Sequence, residues 1–187
     1  MTDSLLRRAQ HTLAPLQRRD LPAALALARA DPVAHVVPLM HLEAARASGA
    51  MPAAMWAVRR RSGLHSTLAG LVWNGANLSA VLPEADTEER EAMLVDVAAA
   101  AVSRLARPAA LVGPAATTLD LWARVEPWWG PAREVRPRQV SMAIATEPAR
   151  MPAGDTAGVD PGPLRRATEE DYDRLLPACV HMFIGEV

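Results

Sequence analysis

The sequence predicts an α/β domain with a mixed, mostly antiparallel sheet, and three observations support this fold class. Strand-like and helix-like segments alternate along the first 147 residues. The dipeptide Asn74-Gly75 lies between two strand-like segments, and Asn-Gly favours the positive φ angles of a type I′ hairpin turn. Residues 94–105 repeat leucine, valine and alanine at helical spacing. A hairpin within a sheet, with a helix packed against it, accounts for all three.

The predicted elements follow in the order β-α-α-β-β-β-α-β-α-β. The first helix has Pro22 in its first turn and is predicted to end at Asp31-Pro32. The second is predicted to end before Gly49, because glycine favours the left-handed conformation after a helix. In chain order we expect strand 11–17, helices 20–31 and 33–47, strands 55–59, 68–73 and 77–82, helix 86–107, strand 110–112, helix 117–125, and one or two strands within 135–146.

Residues 148–163 are expected to form a linker between two parts of the chain. They contain four prolines and three glycines and show no apolar periodicity. The linker separates a domain at 1–147 from a tail at 164–187, in which a short strand at 164–167 precedes a helix. Thr168 and Asp171 have the spacing of a capping box at the start of that helix. A strand and one helix cannot bury an apolar face alone, so we expect a second domain, truncated at Val187.

Composition excludes several classes of protein. The 20 basic and 21 acidic residues leave a net charge of −1. The chain therefore has no excess of basic residues with which to bind nucleic acid or an anionic membrane. A single cysteine excludes a disulfide framework and a cysteine-rich zinc ribbon. The N-terminus lacks the apolar core of a signal peptide, and the chain has no uninterrupted run of 18 apolar residues. We therefore expect a soluble, cytoplasmic protein, and the arginine-only basic residues are typical of a GC-rich bacterial genome.

Over residues 11–147 this order resembles the GNAT fold of acyl-CoA N-acyltransferases, whose core is β-α-α-β-β-β-α-β-α-β-β. The segment 166–171, Arg-Ala-Thr-Glu-Glu-Asp, is similar to the R-x-A-T-x-x-D start of a GNAT domain. The chain as a whole resembles two-domain bacterial GNAT proteins with a divergent N-terminal half. The resemblance implies transfer of an acetyl group from acetyl-CoA to an amine that the sequence does not identify, without a metal.

The first domain departs from the GNAT pattern where the cofactor would bind. GNAT enzymes hold the CoA pyrophosphate on the backbone of a Q/R-x-x-G-x-G/A turn, since glycine lets the main chain approach the phosphates and the helix dipole attracts them. The corresponding segment 82–89 has no glycine, and Pro83 lacks an N–H. Its acidic residues are Glu84, Asp86, Glu88 and Glu89. We therefore expect a degenerate domain that binds no acetyl-CoA, and we assign no catalytic or cofactor-binding residue within 1–187.

Four residues are candidates for contact with a substrate. Trp128 and Trp129 are adjacent, and one of them is a candidate to line a pocket or interface; the alternative is a loop that folds both rings onto the last helix. Phe183 and Glu186 lie late in the tail helix, where the resemblance implies the acceptor-side wall. The alternative, which we prefer, is a core phenylalanine and a surface glutamate.

Other reactive residues have ordinary interpretations. The five histidines lack metal-ligand spacing, and we expect them at or near the surface. Cys179 lies on the apolar stripe of the tail helix and is predicted to be a core residue. Arg59-Arg60-Arg61 is predicted to lie in a solvated hairpin loop, although a phosphate site is the alternative. Two alternatives to an enzyme stay open. The first is a module that binds a small ligand between splayed strands, and the second is a dimerisation half in a homodimer.

Overall fold

The computed structural model describes residues 9–62, 65–83, 87–139 and 165–186. The chain divides into two units, Met1–Ala143 and Ile144–Val187. The predicted linker at 148–163 and Leu164 lie outside the described residues. None of the described helices combines the length and the apolar surface that crossing a bilayer requires.

The first unit is a mixed α/β fold built on one five-stranded sheet. The sheet has the order β1-β2-β3-β4-β5, and all neighbours are antiparallel except the parallel pair β4 and β5. This confirms the predicted fold class. The strands are β1 His11–Pro15, β2 Met55–Ser62, β3 His65–Asn74, β4 Asn77–Val81 and β5 Ala110–Leu111, and the helices are α1 Leu21–Arg29, α2 Val36–Ser48, α3 Thr87–Arg104 and α4 Ala115–Trp129.

Two of these elements differ from the prediction. The second helix begins at Val36 instead of residue 33, because residues 32–35 form a turn in which the Asp31 carboxylate accepts the Ala34 N–H at 2.9 Å. The predicted closing strands are absent from the described residues 135–139, and 140–146 lie outside the described part. The remaining predicted elements are present with shifted ends.

Two apolar cores lie on the two faces of the sheet. Strand β2 supplies both, because successive side chains of a strand point to opposite faces. Its Ala57 packs with α1 and α2, whereas its Val58 packs with α3 and α4. The predicted apolar stripe of α3 is confirmed in this second core: Leu94, Val97, Ala98, Ala101 and Leu105 are buried, and Val102 is partly buried.

The hairpin at Asn74-Gly75 is present, but the predicted type I′ turn is wrong. Strands β3 and β4 pair antiparallel from Asn74 opposite Leu78 to Leu71 opposite Val81. Neither Asn74 nor Gly75 has a positive φ. A methyl group at Gly75 would lie 2.7 Å from the Trp73 ring. Glycine is therefore required here for the close approach of the ring and not for a left-handed backbone.

The outer edge of β1 is closed by side chains of α3. The Asp96 carboxylate accepts the N–H groups of Gln10 and His11 at 2.9 and 2.8 Å, and the Arg104 guanidinium donates to the Leu13 carbonyl at 2.8 Å. Pro15, the last residue of β1, has no N–H to offer. Occupying the free groups of an edge strand blocks pairing with another chain.

His11 is buried beside Asp96, so the expectation of a position at or near the surface is wrong for this histidine. The residue is 3% exposed. Its Nδ1 lies 3.4 Å from Asp96 Oδ2, and neither ring nitrogen has a hydrogen-bond partner. The Asp96 carboxylate is directed to the backbone of β1 instead, which makes its role one of positioning the strand.

The second unit contains a 3₁₀ turn, Glu169–Asp171, followed by helix α5, Tyr172–Glu186. Residues 165–167 are not in a strand, so that prediction is wrong for them. The predicted capping function of Asp171 is confirmed, because its carboxylate accepts the Thr168 N–H at 2.9 Å. Cys179 is exposed, and so are the large apolar side chains of α5 whose exposure the structure gives, which contradicts a core position for Cys179.

We expect the start of α5 to lose stability in acid because of Asp171. Two hydrogen bonds of 2.6 Å from Arg165, and then the bond from Thr168, hold the pKa of this carboxyl well below its usual range. A depressed pKa stabilises the folded form above the unfolded value of about 3.9, and the contribution is lost as the pH falls from there through the folded value. Carboxyl ¹³C shifts of Asp171 measure this. Titration near pH 4, with no parallel change in the Thr168 amide signal, would contradict it, and Asp171→Asn is the control without a titrating group.

Candidate functional site

The most distinctive feature of the sheet is the place where β5 ends and its parallel neighbour β4 continues, and we call this end of the β4–β5 pairing the opening. Strand β5 pairs with β4 only at Asn77 and Leu78. Strand β4 then continues to Val81 without a β5 partner. The carbonyls of Ala76 and Leu78 accept amides from the β5 side, so the next backbone groups directed that way belong to Ala80. Backbone N–H and C=O groups that are no longer paired with a neighbouring strand need other hydrogen-bond partners.

Two hydroxyl groups lie next to this opening. A methyl group at Gly113 would lie 3.1 Å from Thr118 Oγ1 and 3.9 Å from Ser79 Oγ. Ser79 is on β4 and only 5% exposed, whereas Thr118 is on α4. Gly113 thus lies close to both hydroxyls, and a side chain at this position would crowd the Thr118 hydroxyl.

Helix α4 begins at the same place. Its first intrahelical bond runs from the Thr118 N–H to the Pro114 carbonyl at 2.9 Å. No side chain caps this helix start. The N–H groups of Ala115, Ala116 and Thr117 therefore have no intrahelical acceptor, and the positive end of the helix dipole lies there. Amide donors and two hydroxyls suit a carbonyl or carboxylate oxygen.

The segment 82–89, where the resemblance would place a phosphate-binding turn, is only partly described. Glu84 and Asp86 lie outside the described residues. Pro83 and Glu88 are exposed, and Glu89 accepts a hydrogen bond from Arg60 Nη1 at 2.6 Å. The described part offers a proline and carboxylates where a dianion would need N–H donors, so these residues do not fit a pyrophosphate.

The three consecutive arginines are not in a hairpin loop, and that prediction is wrong. Arg59, Arg60 and Arg61 all belong to β2. Successive strand residues point to opposite faces, and accordingly Arg59 binds Asp20 before α1 while Arg60 binds Glu89 on α3. Two of the three guanidinium groups are thus paired in different places, and they do not form one cationic cluster.

The structure does not bring the candidate tryptophans to this opening. Trp128 and Trp129 end α4, so the loop predicted for them is wrong. Trp128 is 74% exposed, whereas Trp129 packs against the core of α3 and α4. Helix α4 starts at the opening and has 15 residues, which places the tryptophans about 20 Å away along its axis.

The two tail candidates lie in the second unit. Phe183 is exposed on α5, so the preferred interpretation of it as a core residue is wrong. Glu186 is the last residue of that helix, and its side chain lies outside the described part of the chain. Neither residue is assigned a contact. Within the ranges that the structure describes, no three His, Cys, Asp or Glu side chains are grouped so that they could hold a metal ion.

The sequence interpretation missed all three residues at the opening. Ser79 and Thr118 are short polar residues within strand and helix patterns, and neither has a motif around it. The one available signal was Gly113-Pro114 between a strand and a helix. It was interpreted only as a turn.

The described residues define a class of protein: a three-layer α/β domain with helices on both faces of a mostly antiparallel sheet and an opening between two parallel strands. A family model described as "Domain of unknown function (DUF4081)" matches residues 53–175, more than half of the chain. The chain therefore belongs to this family. No curated protein and no solved structure matches it.

Proposed function

We propose that this protein is a GNAT-type N-acyltransferase, in which residues 11–129 form a GNAT-like domain without catalytic activity of its own. The observation that carries the proposal is the order of elements. Strands and α-helices follow as β-α-α-β-β-β-α-β-α over these residues, the same succession as the first nine elements of the GNAT core. The resemblance of 166–171 to the start of a GNAT domain supports a second, catalytic domain.

The reaction that the proposal implies is direct aminolysis of a thioester. A neutral amine attacks the acetyl carbonyl, the new C–N bond forms, the C–S bond breaks, and the CoA thiolate leaves. A general base takes the proton of the amine, and an N–H donor stabilises the developing oxyanion. None of these roles is assigned to a described residue, because the segment at 82–89 does not fit the cofactor.

The test of this function uses the product of the complete gene. It is incubated with acetyl-CoA and a panel of amines that includes a polyamine, an aminoglycoside and a peptide with a free N-terminus. We expect release of free thiol with at least one amine and acetylation of that amine by mass spectrometry. Thiol release with none of them, from protein that is folded by circular dichroism, would contradict the proposal.

The 187-residue chain itself is expected to show no micromolar binding of acetyl-CoA. Pro83 removes a backbone donor, and the exposed carboxylate of Glu88 repels the phosphates. Isothermal titration calorimetry measures this, with an active GNAT enzyme as the positive control in the same buffer. Binding with a micromolar Kd would mean that the degenerate domain holds the cofactor elsewhere.

A second candidate function is supported by the opening between β4 and β5. Buried Ser79, Thr118 and the uncapped start of α4 offer donors to a small carbonyl or carboxylate ligand. Acetate is the probe, and amide shifts of residues 115–118 in NMR spectra are the measurement. We expect saturable shifts in the parent and none in Gly113→Leu, whose side chain crowds the Thr118 hydroxyl. The absence of shifts in the parent would contradict this candidate function.

A further inference from the structure

The buried histidine of β1 takes no part in either candidate function. The His11 side chain is 1% exposed, and the Asp96 side chain beside it is 9% exposed. Among the described residues, neither ring nitrogen of His11 has a hydrogen-bond partner. A buried polar group without a partner is rare, because it loses its bonds to water and gains none in return. A change in the charge of this ring therefore acts directly on the groups around it.

Asp96 connects the histidine ring to the backbone of the strand that carries it. One carboxylate oxygen, Oδ2, accepts the N–H groups of Gln10 and His11 at 2.9 and 2.8 Å and lies 3.4 Å from His11 Nδ1. The same atom thus holds the start of β1 against α3 and faces the imidazole. Any change in the attraction between ring and carboxylate therefore changes how firmly α3 holds β1.

Three other charged side chains lie near the ring on the α3 side of the sheet. Arg60 is directly opposite His11 in the pairing of β1 with β2, and its guanidinium is bound to Glu89 of α3 at 2.6 Å. Arg104 donates to a carbonyl of β1, and it lies about 12 Å along the helix axis from Asp96. The charge of Arg60 is thus offset by Glu89, and Arg104 is remote from Asp96. The Asp96 carboxylate therefore dominates the electrostatics at the ring.

We propose that His11 and Asp96 form a proton-dependent latch that fastens β1 to α3, and that protonation of the His11 ring closes this latch. Histidine is the side chain that ordinarily changes its charge between about pH 5 and 8. With β1 in place, a protonated ring lies beside a buried carboxylate, and opposite charges attract strongly where water is excluded. With β1 detached, both groups are in water and the attraction is lost. The stabilisation is therefore present in mild acid and is lost as the pH rises, which leaves the edge of β2 easier to expose. The proposal does not depend on acyl transfer.

The first test measures amide hydrogen exchange of the 187-residue chain at about pH 5.5 and about pH 8, on either side of the range in which histidine changes its charge. Each rate is divided by the intrinsic exchange rate at the same pH, so that only the opening of the structure is compared. We expect the amides of Gln10 and His11 to be protected at least about three-fold more strongly at the lower pH. Equal protection at both pH values, or weaker protection in acid, would overturn the proposal. The same holds for a change in exchange that does not follow the titration of the His11 ring signals in NMR spectra.

The second test separates the His11 ring from the other groups that titrate. Asp96→Asn keeps an oxygen for the two amides but removes the charge, so we expect the pH dependence of exchange to disappear or reverse. His11→Phe keeps a ring that takes up no proton, and it is expected to show no pH dependence. His65→Gln, at the exposed start of β3, is the matched control that keeps the dependence of the parent. Circular dichroism checks that each variant is folded. An unchanged pH dependence in Asp96→Asn or His11→Phe, or its loss in His65→Gln, would contradict the latch.

Discussion

Replacing Asp20 with alanine is expected to lower the free energy of unfolding by about 3–5 kcal/mol, the cost of breaking a buried ion pair. Asp20 and Arg59 have side chains only 10% and 13% exposed, and they join the turn before α1 to strand β2. The Asp20 carboxylate also accepts the Gln17 N–H at 3.1 Å. The variant leaves the Arg59 guanidinium without its charged partner, although little of this side chain is exposed to water. Urea unfolding of parent and variant measures the difference.

Two controls separate this effect from charge removal in general. Glu43→Ala removes a carboxylate from the more exposed pair with Arg29 and is expected to cost no more than about 1 kcal/mol. Adding Arg59→Met to Asp20→Ala is expected to restore part of the loss, because no buried charge is then left unpaired. Equal costs for Asp20→Ala and Glu43→Ala would refute the assignment of a buried pair.

Replacing Leu94 with alanine is expected to cost about 2–5 kcal/mol, and Leu105→Ala falls in the same range. Leu94 is fully buried in the core between α3, α4 and the sheet. Removing its isobutyl group loses its transfer free energy and leaves a cavity. The measurement is the urea midpoint, with the slope of the transition as a check on two-state unfolding.

Val95 provides the matched control on the same helix. It is exposed, so Val95→Ala is expected to change stability by about 0.5 kcal/mol or less. A midpoint for Leu94→Ala equal to that of Val95→Ala would show that the α3 stripe does not face the sheet.

The parts of the fold that the sequence predicts are those that depend on local pattern. The α3 stripe and the β3–β4 hairpin each follow from residues close together in the chain, so periodicity and turn composition are sufficient. The hairpin was nevertheless predicted for the wrong reason. Gly75 is required by the neighbouring Trp73 ring, and that contact cannot be inferred from the preference of Asn-Gly for one turn type.

The parts that were missed depend on contacts between distant segments. Arg59 and Arg60 look like a loop because they are charged, yet each has its own partner on a different face of the sheet. His11 lies beside Asp96, which is 85 residues later in the chain, and no local pattern indicates that contact. Helix α4 continues past Pro127 to Trp129, because a proline near the end of a helix removes only one hydrogen bond.

The candidate site was missed for a related reason. Ser79, Gly113 and Thr118 lie on β4, after β5 and on α4, and they meet only because the two parallel strands are neighbours in the sheet. Nothing in the local sequence of any one of them signals a site. Trp128 and Trp129 were candidates because adjacent tryptophans are unusual, and that property does not indicate where the opening lies.

The attachment of β1 to α3 also has a consequence for the order in which the chain folds. Strands β2, β3 and β4 are joined by short connections, so they can pair at little entropic cost. Strand β1 must close a loop of about 40 residues to reach β2, and one of 85 to reach Asp96. Contacts that close long loops form late and slow the folding rate. The first strand in the chain is thus expected to be the last to join the sheet, and a nascent chain holds an unpaired β2 edge until it does.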